Sequence, residues 1–225
     1  MTFSIAARCA KTGQLGIAIS SSSIAVGARC PWLRAGVGAV SSQNITLPAL
    51  GPQGLDLIEQ GASPAQAFEQ LWAVQTFSEY RQITAIDHLG RVAHFSGSKT
   101  LGIHNAVSGE QCVAAGNMLA NPEVISAMVK AFELASGHLA ERLLQAMHAG
   151  QAAGGEAGPV HSAALKVVAD LPWPIVDLRV DWAEHNPINV LDGLWQAYQP
   201  QMQDYLDRAL NPAGAPGYGV PGDDR

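Results

Sequence analysis

Two short runs near the start of the chain, residues 3–8 and 15–20, are apolar and strand-like, and only a tight turn separates them. The turn, Lys11-Thr12-Gly13-Gln14, puts a glycine where the backbone needs positive φ, so the two runs read as a β-hairpin. Strands that are apolar throughout, rather than alternating, belong in sheets covered on both faces. That requirement constrains the fold more than anything else in the sequence. Pairing across the turn sets Thr2 opposite Ser22 or Ser23, to within a residue.

The pattern continues along the chain. Gly36–Ser42 reads as a third strand, following Pro31-Trp32-Leu33-Arg34. Helices are expected over about 51–60 and from Ser63, where Ser63-Pro64-Ala65-Gln66 has the form of a capping box with a helix-start proline. Ile83–Ile86, a turn at Asp87-His88-Leu89-Gly90 and Val92–Phe95 give a second hairpin. Gln111–Ala115 reads as a strand leading into Gly116-Asn117-Met118-Leu119. Asn121-Pro122-Glu123 opens a helix that puts Val124, Met128 and Phe132 on one face. A helix from Leu139 to His148 should end at Gly150. Strands at Ser162–Val168 and Ile175–Val180 follow, and then a last helix from Asn186 with Ile188, Leu191, Trp195 and Tyr198 inward. Hairpins rather than βαβ crossovers join the strands. The expected class is therefore α+β: two antiparallel sheets face to face with helices outside. One domain over 1–210 is expected. Residues 211–225, with three Pro and four Gly and no periodicity, are expected to be a disordered tail.

Composition bounds the partners. Charged residues make up 14% of the chain, against roughly 25% in an average soluble domain, which points to a homodimer or higher homo-oligomer. A net charge of −6 with 13 scattered basic residues argues against nucleic acid or an anionic membrane as partner. Nothing reaches the length of apolar sequence that a membrane span requires, and no signal peptide is visible. Cys9, Cys30 and Cys112 have neither metal nor redox spacing and read as free thiols in a reducing cytoplasm. The histidines show no ligand spacing, so no metal and no cofactor are expected.

One residue carries possible chemistry. Thr2 is small enough for methionine aminopeptidase to remove Met1 before it. The mature chain would then begin with a hydroxyl and a free α-amine on one residue, and that amine can act as the base for its own hydroxyl. An α-amine has an unperturbed pKa of about 7.7–8.0, so a usable fraction is neutral at cellular pH.

Several segments together resemble a known family: Met1–Arg8, Thr12–Ala18, Ala25-Val26-Gly27, Pro31-Trp32, Arg34–Val40, Gly51–Leu55, Gly116–Leu119, Gly150–Gly155 and Ser162–Leu165. The resemblance, over about residues 1–182, is to the bacterial DUF1028 family within the Ntn-hydrolase superfamily. It implies a four-layer αββα sandwich and an N-terminal-nucleophile amidohydrolase acting on a small-molecule amide. It implies Thr2 as nucleophile and places Arg34, at the start of the third strand, beside it. It sets Asn117 at a turn of the other sheet, near the amine, with Gly116 allowing close backbone approach. Glu156 or Ser162 would supply an orienting group. The serines from Ser20 to Ser23, chiefly Ser22 and Ser23, would line the pocket, with Gln43, Asn44 and His161 facing the same cleft. Many relatives carry Lys within the stretch matching Ser20–Ser23, and basic residues where this chain has Glu156–His161. Both departures remove positive charge from the expected pocket rim. Each residue also has a purely structural reading: Asn117 as a turn residue, Arg34 as an interface arginine, the serines as strand-end backbone partners. A non-catalytic binding or scaffold member of the same fold is the alternative.

Overall fold

The computed structural model describes residues 1–223; residues 224 and 225, the end of the expected tail, lie outside the described residues. The strands are β1 (Thr2–Arg8), β2 (Leu15–Ser21), β3 (Pro31–Arg34), β4 (Gly38–Asn44), β5 (Arg81–Asp87), β6 (Val92–Ser96), β7 (Asn105–Gly109), β8 (Cys112–Asn117), β9 (Ser162–Val168) and β10 (Val176–Val180). The helices are α1 (Leu50–Glu59), α2 (Pro64–Val74), α3 (Glu123–Leu134), α4 (Leu139–Ala152), α5 (Pro187–Tyr198) and α6 (Met202–Leu210).

A six-stranded sheet runs β10-β9-β2-β1-β8-β7 and a four-stranded sheet runs β3-β4-β5-β6, with every pairing antiparallel. Side chains alternate across each strand, so each sheet feeds two layers. Phe3, Ile5 and Leu165 turn outward from the large sheet to meet α3, α4 and α5. Val40, Ile83 and Ala85 turn outward from the small sheet to meet α1 and α2. Ala6, Ile17, Ile19, Ala39, Ile86, Val113 and Val168 meet between the sheets. This is the expected αββα sandwich, and it explains the continuously apolar strands.

Local signals place most elements. The Ser63–Gln66 capping box forms in both directions: Gln66 N–H donates to Ser63 Oγ at 3.3 Å and Ser63 N–H to Gln66 Oε1 at 2.9 Å. Val124, Met128 and Phe132 are fully buried. Three expectations need correction. The expected third strand begins at Gly38 rather than Gly36, and the Pro31–Arg34 segment before it is itself a strand, β3, paired with β4 around a turn at positive-φ Gly36. The helix from Leu139 runs past Gly150 to Ala152, so Gly150 serves packing rather than a stop: a Cβ there would stand 2.7 Å from Met128 Cγ. The edge strand β7 and the exposed helix α6 carry no continuous apolar run, so period alone does not reveal them. Residues 211–223 contain no helix or strand, and the Arg208 guanidinium donates to the carbonyls of Pro216 and Gly217.

Candidate active site

The inner layer changes character along its length. At one end, near Leu15 and Val168, it is apolar. At the other, where β1 and β9 begin and β2, β4 and β8 end, the inward positions become Thr2, Ser4, Ser21, Ser41, Gln43, Gln82, Thr84, Asn117 and Ser162. None of these is more than 6% exposed. Burying so many polar groups is unfavourable unless each finds a partner.

Most do. Gln82 sits at the centre. Its Oε1 accepts from Gln43 Nε2 at 2.8 Å and Asn117 Nδ2 at 3.0 Å. Its Nε2 donates to Ser96 Oγ and to the Gly116 carbonyl, both at 3.0 Å. Ser4 Oγ donates to Gln43 Oε1 at 2.7 Å and so ties the large sheet to the small one. Among the described residues, Thr84 Oγ1, Asn117 Oδ1 and Glu156 Oε1 are buried without a partner.

Thr2 stands at the rim of this layer, paired with Ser21 on one side and Asn117 on the other. Its hydroxyl donates to the Met1 carbonyl at 2.5 Å and lies 3.2 Å from Ser21 Oγ. Ser21 Oγ also donates to the Met1 carbonyl, at 2.6 Å, and lies 2.8 Å from Ser23 Oγ. Arg29 Nη2 donates to Ser23 Oγ at 3.2 Å, so a run of hydroxyls ends on a cation. Glu156 reaches the same corner. Leu119 and Glu156 form an isolated bridge, and Glu156 Oε2 accepts from Ser22 N–H at 3.2 Å. Burial pushes the Glu156 carboxyl up to about 8; the amino group of Met1 and the Ser22 hydrogen bonds offset part of that rise.

The structure thus brings Thr2, Asn117, Glu156 and Gln43 to one end of the sandwich. Asn117 is there by a different route from the one the resemblance implied. It lies on β8, the strand next to β1 in the same sheet, not at a turn of the facing sheet. Arg34 is not there. It pairs with Gly38 at the opposite end of β4, five residues from Gln43, which is roughly 17 Å of strand. Its guanidinium instead bridges Asp56 and Glu59 of α1 at 2.8 and 2.7 Å. Asn44, at positive φ, ties down a loop: its Nδ2 donates to the Tyr80 carbonyl and its Oδ1 accepts from Leu101 N–H. His161 stacks on Trp182 at 4.3 Å, and its Nδ1 contacts the Ala183 carbonyl. Ser162 Oγ donates to the Ser23 carbonyl at 2.6 Å and accepts from Val26 N–H, holding the segment after β2. Ser22 is half-buried and contributes its backbone N–H; Ser23 is exposed.

Sequence reasoning missed Ser4, Ser41, Gln82 and Thr84, and within the serine run it weighted Ser22 and Ser23 over Ser21. A signal existed. On β2 the inward residues are Ile17 and Ile19, so the next inward position is Ser21, and Ser22 points the other way. Polar residues at inward positions of an otherwise apolar strand mark the layer. A groove of about 700 Å³ between Trp32, Arg34, Lys166 and Arg179 lies toward the apolar end and holds none of these residues. A smaller one of about 240 Å³ runs past Phe3, Glu156 and Gly158 and is not lined by Thr2. Among the described residues no helix is long and apolar enough to cross a membrane, and no three His, Cys, Asp or Glu side chains are grouped to hold a metal.

Comparison with known proteins fits this architecture. No curated protein sequence matches the chain. The solved structure of protein SPO2555 from Silicibacter pomeroyi, a DUF1028 protein, superposes with a TM-score of 0.85 at 32% identity, over 91% of this chain and 89% of that one. Anbu (ancestral β-subunit) from Yersinia bercovieri aligns at 11% identity and a TM-score of 0.41 over 97% of this chain and all of that one. An Anbu (Gly-1) mutant from Hyphomicrobium sp. strain MC1 aligns at 12% and 0.39, over 89% of this chain and 96% of that one. The sequence model of DUF1028, a family of unknown function, matches residues 2–191, and by that match the chain belongs to the DUF1028 family.

Proposed function

We propose that the chain is an N-terminal-nucleophile amidohydrolase, with Thr2 as nucleophile once Met1 is removed, cleaving a C–N bond in a small amide or amino-acid derivative. The observation that carries this reading is the position of the Thr2 hydroxyl. Thr2 is 6% exposed, its hydroxyl is 3.2 Å from a second buried hydroxyl, and its neighbour across the strand pair is the buried Asn117, at the polar end of a layer that is otherwise apolar. A structural core has no use for such an end, whereas acyl transfer needs donors fixed where an oxyanion develops.

The chemistry follows from the residues. With Met1 gone, the Thr2 nitrogen becomes an amine and takes the hydroxyl proton as Oγ1 attacks the carbonyl carbon. The amine returns that proton to the leaving nitrogen as the C–N bond breaks. Water then hydrolyses the Thr2 ester and restores the hydroxyl. Hydroxyl, amine, fixed donors and water complete the cycle, so the reading needs no cofactor or metal. While Met1 remains, the Thr2 nitrogen is an amide and cannot be the base. The well-bonded seat of Met1 therefore favours a second reading, a non-catalytic binding or scaffold member.

The remaining partner readings are proposals too. Low surface charge and exposed Val74, Phe77 and Leu134 support a homo-oligomer. The acidic net charge supports a small-molecule amide, not nucleic acid or an anionic membrane, as ligand. Three free thiols support a cytoplasmic site of action.

The deciding experiment is the intact mass of protein purified from its native host, followed by incubation with 4-nitrophenyl acetate. The expected result is a mass short by one methionine and an acetyl adduct that peptide mapping places on Thr2. Retention of Met1 throughout the population would end the hydrolase reading.

A further inference from the structure

Two serine hydroxyls stand in line between Thr2 and a cation, and a proton count fixes which way each of them donates. A hydroxyl has one proton and two lone pairs, and a carbonyl oxygen has no proton to give. The Met1 carbonyl therefore takes the protons of both its partners, Thr2 Oγ1 at 2.5 Å and Ser21 Oγ at 2.6 Å. With its one proton committed, Ser21 Oγ only accepts in its other contacts. Ser23 donates to it twice, from the backbone N–H at 3.1 Å and from the hydroxyl at 2.8 Å. Ser23 Oγ in turn accepts from Arg29 Nη2 at 3.2 Å. The carbonyls of Ile24 and Ala25 hold the Arg29 guanidinium in place, and among the described residues no carboxylate pairs with it. Every donor in the line thus points from Arg29 toward Thr2.

We propose that this line is part of the Thr2 machinery: Ser21 is a catalytic hydroxyl that donates to Thr2 Oγ1, and Ser23 and Arg29 are positioning residues that keep it donating. The inference rests on the Thr2 reading above. Once Met1 has left, its carbonyl no longer holds the Ser21 proton. Ser23 fills both lone pairs of Ser21 Oγ, so that proton turns to Thr2 Oγ1, 3.2 Å away. In the chemical step the Thr2 amine takes the proton of Oγ1, Oγ1 bonds to the carbonyl carbon, and the leaving group departs with its electron pair. Ser21 gives up no proton. Its hydrogen bond meets the negative charge that gathers on Oγ1 as the proton leaves, and meets it again when Oγ1 is the leaving group in hydrolysis. A Ser21 hydroxyl free to rotate would accept from Thr2 instead and would oppose that ionisation. Arg29, acting through Ser23, closes the choice.

The test uses protein shown by mass to begin at Thr2 and reads the rate at which 4-nitrophenyl acetate acetylates that residue. Ser21→Ala should slow acetylation by about tenfold to a hundredfold, the scale of one hydrogen bond to a charged group. Ser23→Ala and Arg29→Met should each slow it less, by about threefold or more, because each acts through one polarised hydroxyl. The decisive readout is the double-mutant cycle. In a Ser21→Ala background neither second substitution should slow acetylation further, whereas a merely bracing role for Ser23 and Arg29 would slow both backgrounds alike. Undiminished acetylation of Ser21→Ala overturns the line, as does an equal effect of Arg29→Met in the two backgrounds. Ser23 is exposed, so Ser23→Ala leaves the core untouched. If Ser21→Ala fails to fold, an unslowed Ser23→Ala protein overturns the line by itself. Either result with Thr2 acetylated leaves the nucleophile standing. No acetylation of the unmodified protein removes both.

Discussion

The two ends of the inter-sheet layer are equally buried and chemically opposite. Around Ile17, Ile86 and Val168 the sheets meet through side chains that gain by leaving water. Around Ser4, Gln43 and Gln82 they meet through groups that lose their hydration and recover it only by bonding to one another. Both ends are buried, but only the polar one holds fixed donors and acceptors beside Thr2. The difference teaches that burial does not by itself distinguish a core from a site. The kind of group does: among the described residues the unpartnered buried oxygens of Thr84, Asn117 and Glu156 lie at one end or its rim, whereas the apolar end has an unpartnered Arg8 Nε but no such oxygen.

The contrast breaks most visibly at Thr2. Removing its hydroxyl should abolish turnover by about four orders of magnitude or more, on the scale of nucleophile deletions in other hydrolases. The melting temperature should scarcely move, because the hydroxyl bonds only to Met1 and Ser21. Steady-state kinetics of Thr2→Ala beside its thermal melt checks both halves. A variant that keeps its turnover would show that the polar end is not organised around this residue.

The apolar end should answer in the other currency. Ile17→Ala deletes a fully buried side chain between the sheets and should cost about 2–5 kcal/mol in denaturant titrations, with kcat of the folded fraction little changed. Gln82→Leu tests the middle of the layer. It strips the partners from Gln43 Nε2, Asn117 Nδ2 and the Gly116 carbonyl, so a residue made more hydrophobic should destabilise the protein by about 1–3 kcal/mol. It should also slow turnover by freeing Asn117. A stabilised Gln82→Leu protein would mean that the network is merely tolerated.

Glu156 sharpens the comparison through pH. Its folded carboxyl titrates at about 8, above the 4.5 of the free group. Between those values the folded state holds the proton more tightly than the unfolded chain, so this group's contribution is fully present below about pH 4.5 and is lost as pH rises through 8. Glu156→Gln should therefore flatten the decline in stability over that window. Urea titrations at intervals across it read the slope, and an unchanged slope would mean that Glu156 is not a buried acid.

How much of this the sequence carried depends on the range of each interaction. The hairpins at Gly13 and Asp87–Gly90, the Ser63 box and the face shared by Val124, Met128 and Phe132 are local, and they were legible. Ser21 was one position from the expected partner of Thr2, and that single step decides which face a residue takes. Asn117 was assigned to the wrong sheet because nothing local says that β8, more than 100 residues away, pairs with β1. Gln82 was invisible for the same reason: its four partners come from strands on both sheets and the β8 backbone.

The smallest predicted effect concerns Arg34, and it tests the boundary between the two ends. Resemblance set this arginine beside Thr2, yet pairing with Gly38 holds it toward the apolar end, at the mouth of the 700 Å³ groove. Its carboxylate partners, Asp56 and Glu59, are about half exposed, and its own side chain is 34% exposed. Such pairs are screened by water and contribute about 0–1 kcal/mol. Arg34→Ala should therefore lower stability by no more than that and leave kcat/KM within a factor of about two, since a distant exposed charge has little leverage on a buried site. The decisive comparison is the pH–rate profile of Arg34→Ala against that of the unmodified protein. A cation beside the Thr2 amine would hold it neutral at lower pH, so its loss would shift the alkaline-rising limb upward. Superimposable profiles are expected, because here no more than strand register separates a surface ion pair from a group that tunes a nucleophile.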